Sequence, residues 1–229
     1  MDQSLQTNPF GTTTITADTR QRVLRNTYWL LALSMIPTVL GAWLGVQTGI
    51  ARAMSPGVGL VVFLAGAFGF MFAIEKFKNS AAGVPILLAF TFFMGVMLSR
   101  LVGVVLGMGN GPSLVMTAFA GTSVIFFGMA TLSSIVKRDL SGLAKFMTIG
   151  ALLIFVAAIA NFFLQSSALM ITIALLAIAV FSFFILYDLK RVADGEETNY
   201  ITATLGVYLS LYNVFQSLLA LLGIAGGDD

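Results

Sequence analysis

Few side chains in this sequence could do chemistry, and most of them lie toward its C-terminal end. Asp188 directly follows the apolar run Phe184-Ile185-Leu186-Tyr187. A carboxylate in that place is either solvated at an interface, here near Lys190 and Arg191, or held in a crevice where its protonation would follow pH. Downstream, Asn199, Thr202, Gly206, Ser210, Asn213 and Ser217 recur at spacings of 3, 4, 4, 3 and 4. That period gathers polar and small side chains on one helical face. An unpaired amide in hydrocarbon is costly, so the face must turn inward. It then serves either interhelical hydrogen bonding or the lining of a route for a solute or ion. Asp188, Ser210 and Asn213 are the candidates for ion binding or pH sensing. Glu75, beside Lys76 and Lys78, reads as a solvated interfacial group, and Arg100 as a side chain that snorkels outward.

Much enzymology is excluded. The chain has no cysteine and no histidine, which removes thiol nucleophiles, disulfides, the usual zinc sites and imidazole acid–base catalysis. There is no G-x-S-x-G elbow, no G-x-x-x-x-G-K-[ST] phosphate loop and no H-E-x-x-H, and no pair of carboxylates shares an apolar segment. The reading is a non-enzymatic protein without cofactor or metal. A net charge of +2 gives no case for a nucleic-acid partner.

The elements that must position these groups are membrane helices. Hydrophobic residues make up 58% of the 229 positions against 10% charged, and mean hydropathy is +0.97, far above a soluble domain. Seven segments reach the length needed to cross hydrocarbon: Tyr28 to Val46, Gly57 to Ile74, Val84 to Leu106, Ser113 to Ser133, Leu143 to Leu164, Ala168 to Tyr187 and Ile201 to Leu222. The basic start Arg20 to Arg25 resembles a secretory signal, but the apolar run behind it is too long, and it reads as the first membrane helix. The connections, such as Ser55-Pro56-Gly57 and Asp188 to Asn199, are short. The last segment, rich in hydroxyls and amides, is the weakest span; if it only re-entered, the C-terminus would lie inside.

Charge placement orients the chain. With the N-terminus inside, Arg20, Arg22, Arg25, Lys76, Lys78, Lys137, Arg138, Lys145, Lys190 and Arg191 fall on the inner side, and only Arg52 and Arg100 on the outer. Residues 1–19 are polar and expected to form a disordered cytoplasmic tail, either without function or as a handle for a partner, ahead of a membrane domain over 20–229. Rows of small residues, Gly41-Gly45-Gly49 and Gly95-Ser99-Gly103-Gly107-Gly111, predict close helix packing.

Three stretches resemble the Bax inhibitor-1 (transmembrane Bax inhibitor motif) family, in its bacterial YccA-like branch. They are Arg22-Val23-Leu24-Arg25-Asn26-Thr27-Tyr28, then Gly195 to Ile201 (G-E-E-T-N-Y-I), then Tyr208 to Leu219 with its S-L-Y-N core. The resemblance implies an all-α integral membrane bundle of about seven helices in the bacterial inner membrane. The polar period of the seventh helix puts it at the centre, and charge placement puts the N-terminus in the cytoplasm and the C-terminus in the periplasm. The resemblance also implies one of two functions. Members of the YccA-like branch bind the membrane-anchored AAA protease FtsH and restrain it, offering the polar tail. Others are pH-sensitive calcium leak channels that sense protons with two aspartates. Asp188 matches the first of these; the second falls at Ser210. One carboxylate facing a hydroxyl lacks the coupling of two like charges and half the charge that attracts Ca²⁺. Protease modulation is therefore the leading expectation, with a calcium or cation leak through Asp188 as the alternative.

Overall fold

Each apolar run becomes one long helix, because in hydrocarbon a continuous intrahelical ladder is what pairs every backbone N–H and C=O. The computed structural model describes residues 5–7, 13–15 and 17–226. Two three-residue strands, β1 (Leu5–Thr7) and β2 (Thr13–Ile15), pair antiparallel with Leu5 opposite Ile15. Then come α1 (Ala17–Thr48), the single turn α2 (Ile50–Ala53), α3 (Pro56–Phe77), α4 (Gly83–Leu106), α5 (Gly111–Ile135), α6 (Ser141–Leu164), α7 (Ser167–Asp194) and α8 (Tyr200–Ala225). Apart from α2, all seven helices are long and apolar enough to cross a bilayer. The chain is a multi-pass helical membrane protein. The 26 residues of α8 rise about 39 Å at ~1.5 Å each, a crossing length rather than a re-entrant one. Most of the tail expected over 1–19 lies outside the described residues.

Two helices run further than their apolar cores predict. α1 begins at Ala17, so Arg20, Arg22 and Arg25 ride on its first turns. α7 continues through Asp188–Asp194, a stretch expected to be a connection. Nothing there breaks a helix until Gly195, whose φ of 83° ends α7 while its N–H reaches the carbonyls of Arg191 and Val192. Leu189 and Val192 are fully buried on this extension, and that packing holds it. Lys190, also buried, is neutralised by Asp194 one turn on, at 2.7 Å.

The tightest seam joins α1 to α4, and the small-residue rows make it. A Cβ on Gly41 would collide with the carbonyl oxygen of Phe92, and one on Gly95 with that of Thr38, its carbonyl carbon lying at 2.9 Å and Ala42 N at 3.0 Å. Gly45 faces the Ser99 side chain, and Gly103 receives the guanidinium of Arg52. Gly107 and Gly111 belong to the turn after α4 and the start of α5, so the second row ends as a seam at Gly103. Lipid gives no hydrophobic drive to join helices, and close backbone approach supplies dispersion contact in its place.

α8 lies against α1, α3, α4, α5 and α7, and half of its membrane window is buried, 50% against 0% for α6. α6 touches α7 and turns Phe146, Ile149, Leu152, Leu153 and Val156 outward. Hydroxyls on the buried side of α8 reach across to the seam. Tyr208 OH meets Thr38 Oγ1 of α1 at 2.9 Å and donates to Thr91 O of α4 at 3.4 Å; Tyr212 OH donates to Met94 O at 3.4 Å. Thr204 Oγ1 reaches Thr27 O at 3.3 Å.

Gly95→Val should separate α1 from α4, since the atoms it strikes are backbone and cannot yield. A loss on the order of 1–3 kcal/mol is expected, the range for overpacking. Unfolding from detergent micelles would read it, with Gly128→Val, whose Cβ meets nothing within 4 Å, as the neutral control.

Candidate functional site

α7 and α8 are joined by a short acidic connection that folds back on itself. Arg191, on the last turn of α7, extends over the Tyr187 ring at 5.7 Å and lies 3.8 Å from a Glu196 oxygen and 3.9 Å from a Glu197 oxygen. Glu197 Oε1 accepts the Asn199 N–H at 2.8 Å, which turns the chain into α8. Asn199 then caps α8: its Oδ1 accepts from Ile201 N at 2.9 Å and Thr202 N at 3.2 Å. Its amide nitrogen donates to Lys78 O at 3.2 Å and Asn79 Oδ1 at 2.8 Å, fastening the cap to the α3–α4 connection.

Between these helices lies a cavity of about 200 Å³, lined among others by Asp188, Arg191, Glu197, Thr202, Gly206 and Leu209. Asp188 sits over Gly206. A Cβ there would stand 2.8 Å from Asp188 Oδ2, so the missing side chain is what admits the carboxylate. Asp188 has no hydrogen bond or ion pair among the described residues, and Thr202 Oγ1 is buried without a hydrogen-bond partner. Two carboxylates, a guanidinium and a hydroxyl thus surround a space that can hold several waters or a hydrated cation. Among the described residues no three His, Cys, Asp or Glu side chains gather as a metal cage. Asp188 stands six residues before the end of α7, about 9 Å at ~1.5 Å per residue, shallow enough for hydration through this cavity.

The helical face read from spacing splits in the structure. Gly206 meets Asp188 and Thr202 lines the same cavity; Asn199 is the cap; Asn213 spends its amide on Leu209 O of its own helix at 2.8 Å. Ser210 is buried, at 4% exposure, and no hydrogen bond joins it to Asp188. Ser217 is half-buried. The polar groups that bridge helices are Tyr208, Tyr212 and Thr204, on the opposite face of α8, at 200° from Gly206 for Tyr208 given about 100° per residue. Their signal in the sequence is a pair of tyrosines four residues apart inside an apolar run. Glu197 and Arg191 were legible only as connection charges. Glu75 and Lys78 form a surface pair at 2.5 Å, and Arg100 is exposed.

The model of the family described as "Inhibitor of apoptosis-promoting Bax1" matches residues 20–227. The chain belongs to the Bax inhibitor-1 family. Relatives of this family member span nearly its whole length. An uncharacterised protein of Pseudomonas aeruginosa is 40% identical over 207 residues, covering 90% of this chain and 91% of that protein. The protein named "Modulator of FtsH protease YccA" of Escherichia coli is 36% identical over 207 residues, 90% and 92% of the two chains. An uncharacterised membrane protein of Vibrio cholerae is 36% identical over 208 residues, 91% and 92%. The matched region contains the helical bundle from the first turn of α1 onward, with the α7–α8 cavity, and it begins at Arg20.

The contact between Asp188 and Gly206 is open to a thermodynamic cycle. Gly206→Ala should destabilise the protein, by about 1 kcal/mol or more as an overpacked site, and Asp188→Ala should recover most of that loss in the double variant. Thermal unfolding of the four proteins measures the coupling; additive changes would show that the two residues do not press on each other.

Proposed function

We propose that this Bax inhibitor-1 family member is a non-enzymatic protein of the bacterial inner membrane that binds an FtsH-type membrane protease and restrains it. The observation that carries the reading is its 36% identity, across 90% of the chain, to the Escherichia coli protein named as a modulator of that protease. Another Escherichia coli relative bears the name "Inner membrane protein YccA". The N-terminus is cytoplasmic: ten of the twelve basic residues fall on its side of seven alternating spans, and the C-terminus is then periplasmic. The polar tail, residues 1–19, is the segment offered to the protease, and the bundle behind it resists extraction because α1 and α4 are packed backbone to backbone. Restraint then comes from occupying the protease with a substrate that it grips and cannot unfold.

Deleting residues 1–19 should leave the bundle folded and abolish the restraint, so that a membrane substrate is degraded as fast as in cells lacking the protein. Co-purification with the protease should fall in parallel. A tailless variant that still protects the substrate in full would refute the tail's role.

A second reading rests on the cavity between α7 and α8, where Asp188 and Glu197 face a space of about 200 Å³. There the protein would pass Ca²⁺ or another cation, with Asp188 as the charged constriction. In proteoliposomes Ca²⁺ flux should respond to pH and fall several-fold in Asp188→Asn. Flux equal to that of empty liposomes would dispose of the channel.

A further inference from the structure

A second cavity lies away from Asp188. It is an open cleft of about 480 Å³ along the first turns of α1, lined by Gln21, Leu24, Arg25, Tyr28 and Trp29. These positions lie three and four residues apart, so they form one face of the helix. α1 and α5 both pack on α7 and α8, and here Tyr28 meets Phe126 of α5 edge-on, with ring centroids 6.2 Å apart. Trp29 stands 72% exposed. From its N-terminal end the face carries the amide of Gln21, the aliphatic side chain of Leu24, the guanidinium of Arg25, the phenol of Tyr28 and then the indole of Trp29 toward the bilayer interior. The charged and amide groups thus precede the indole, as a phospholipid headgroup precedes its acyl chains.

Charge decides which phospholipid. Of the neighbouring basic side chains, Lys78 pairs with Glu75, Lys190 with Asp194, and Arg191 with Glu196 and Glu197, while Arg20 lies over Gly195 beside that acidic connection; Arg22, exposed one turn before Arg25, lies outside the lining of the cleft. Arg25 is exposed, and it has no acidic partner among the described residues. A guanidinium one turn from an interfacial tryptophan, with an amide and a phenol beside it, offers charge-assisted donors at headgroup depth.

We infer that the cleft on α1 is a binding site for an anionic phospholipid, whose phosphate is held by Arg25 with Gln21 and the Tyr28 hydroxyl and whose acyl chain lies along Trp29. The site is independent of the proposed protease partner. It anchors the first helix where the cytoplasmic tail enters the membrane.

The chain's two tryptophans give the test a built-in reporter. Trp43 is fourteen residues further along α1, about 21 Å at ~1.5 Å per residue, in the other half of the membrane. In Trp43→Phe protein, Trp29 emission would be titrated with brominated phosphatidylglycerol and with brominated phosphatidylcholine in liposomes. Phosphatidylglycerol should quench with an apparent affinity about fivefold higher, the preference expected of one basic side chain near the surface. Arg25→Gln should remove the preference, Arg25→Lys should keep part of it, and Arg138→Gln, on the α5–α6 connection, should leave it unchanged. Trp29→Phe, reporting from Trp43, should show no preference between the lipids. Equal quenching by the two lipids at Trp29 would overturn the site. So would an equal loss in Arg25→Gln and Arg138→Gln, because the attraction would then belong to the whole basic surface. Circular dichroism of each variant secures the fold.

Discussion

The approach of α1 to α4 at the level of their backbones is the constraint on which the remaining structure depends. Gly41 and Gly95 leave no room for a β-carbon, so the Phe92 and Thr38 carbonyls are fixed relative to the opposite helix. Thr38 has two duties in consequence: its carbonyl abuts Gly95, and its hydroxyl meets Tyr208. The seam thereby decides where Tyr208 can land, and Tyr208 with Tyr212 decides how α8 is rotated. Each such hydrogen bond is worth only about 0.6 kcal/mol inside a membrane, so several must act together with the packing. Phe90, fully buried and 6.1 Å from the Tyr208 ring, supplies part of that packing.

Fixing the rotation of α8 turns its other face to α7, and the cavity follows. Gly206 presents no side chain there, Asp188 occupies the gap, and Ser210 falls one turn further into the bundle. The polar space ends at Leu209, while Tyr208, Tyr212 and Phe90 fill the interior on the far side of the helix. Any route for an ion past Asp188 therefore demands that α8 rotate or shift, which means breaking the contacts that the α1–α4 seam imposes. A binding protein needs no such movement. That difference, more than the presence of a carboxylate, separates the two functional readings.

Seven helices were legible because twenty apolar residues in a row have few other fates, and the small-residue rows announced a seam without naming its partner. Helix ends were less legible. Residues 188–194 looked like a connection by charge, yet Leu189 and Val192 pack and Lys190 is neutralised by Asp194 within the same helix. The candidate site was legible in half. Asp188 stood out by its position and Gly206 by its spacing, but periodicity cannot tell which residue of a row meets a given partner, since members 3 and 4 apart share a face. Tyr208 and Thr38 escaped because each looks ordinary in its own helix; only their meeting, 170 positions apart, gives them a role.

One end of the bundle brings the remaining pieces together. Seven alternating spans place the start of α1, the α3–α4 connection and the α7–α8 connection on one side. Arg20 lies against Gly195, and Asn199 is tied to Lys78 and Asn79, so these three segments form one connected surface. α1 begins at that surface, with Arg20 beside the connection bearing Glu196 and Glu197 and with the cleft at Arg25 one turn further on. A force applied to the tail would be borne first at Arg20 and Gly195, then by α1 along its whole seam with α4. Because that seam is a contact of backbone with backbone, it cannot peel one side chain at a time; it holds until the two helices part. On the proposed function, resistance to being pulled from the membrane would rest on the same glycines that organise the fold.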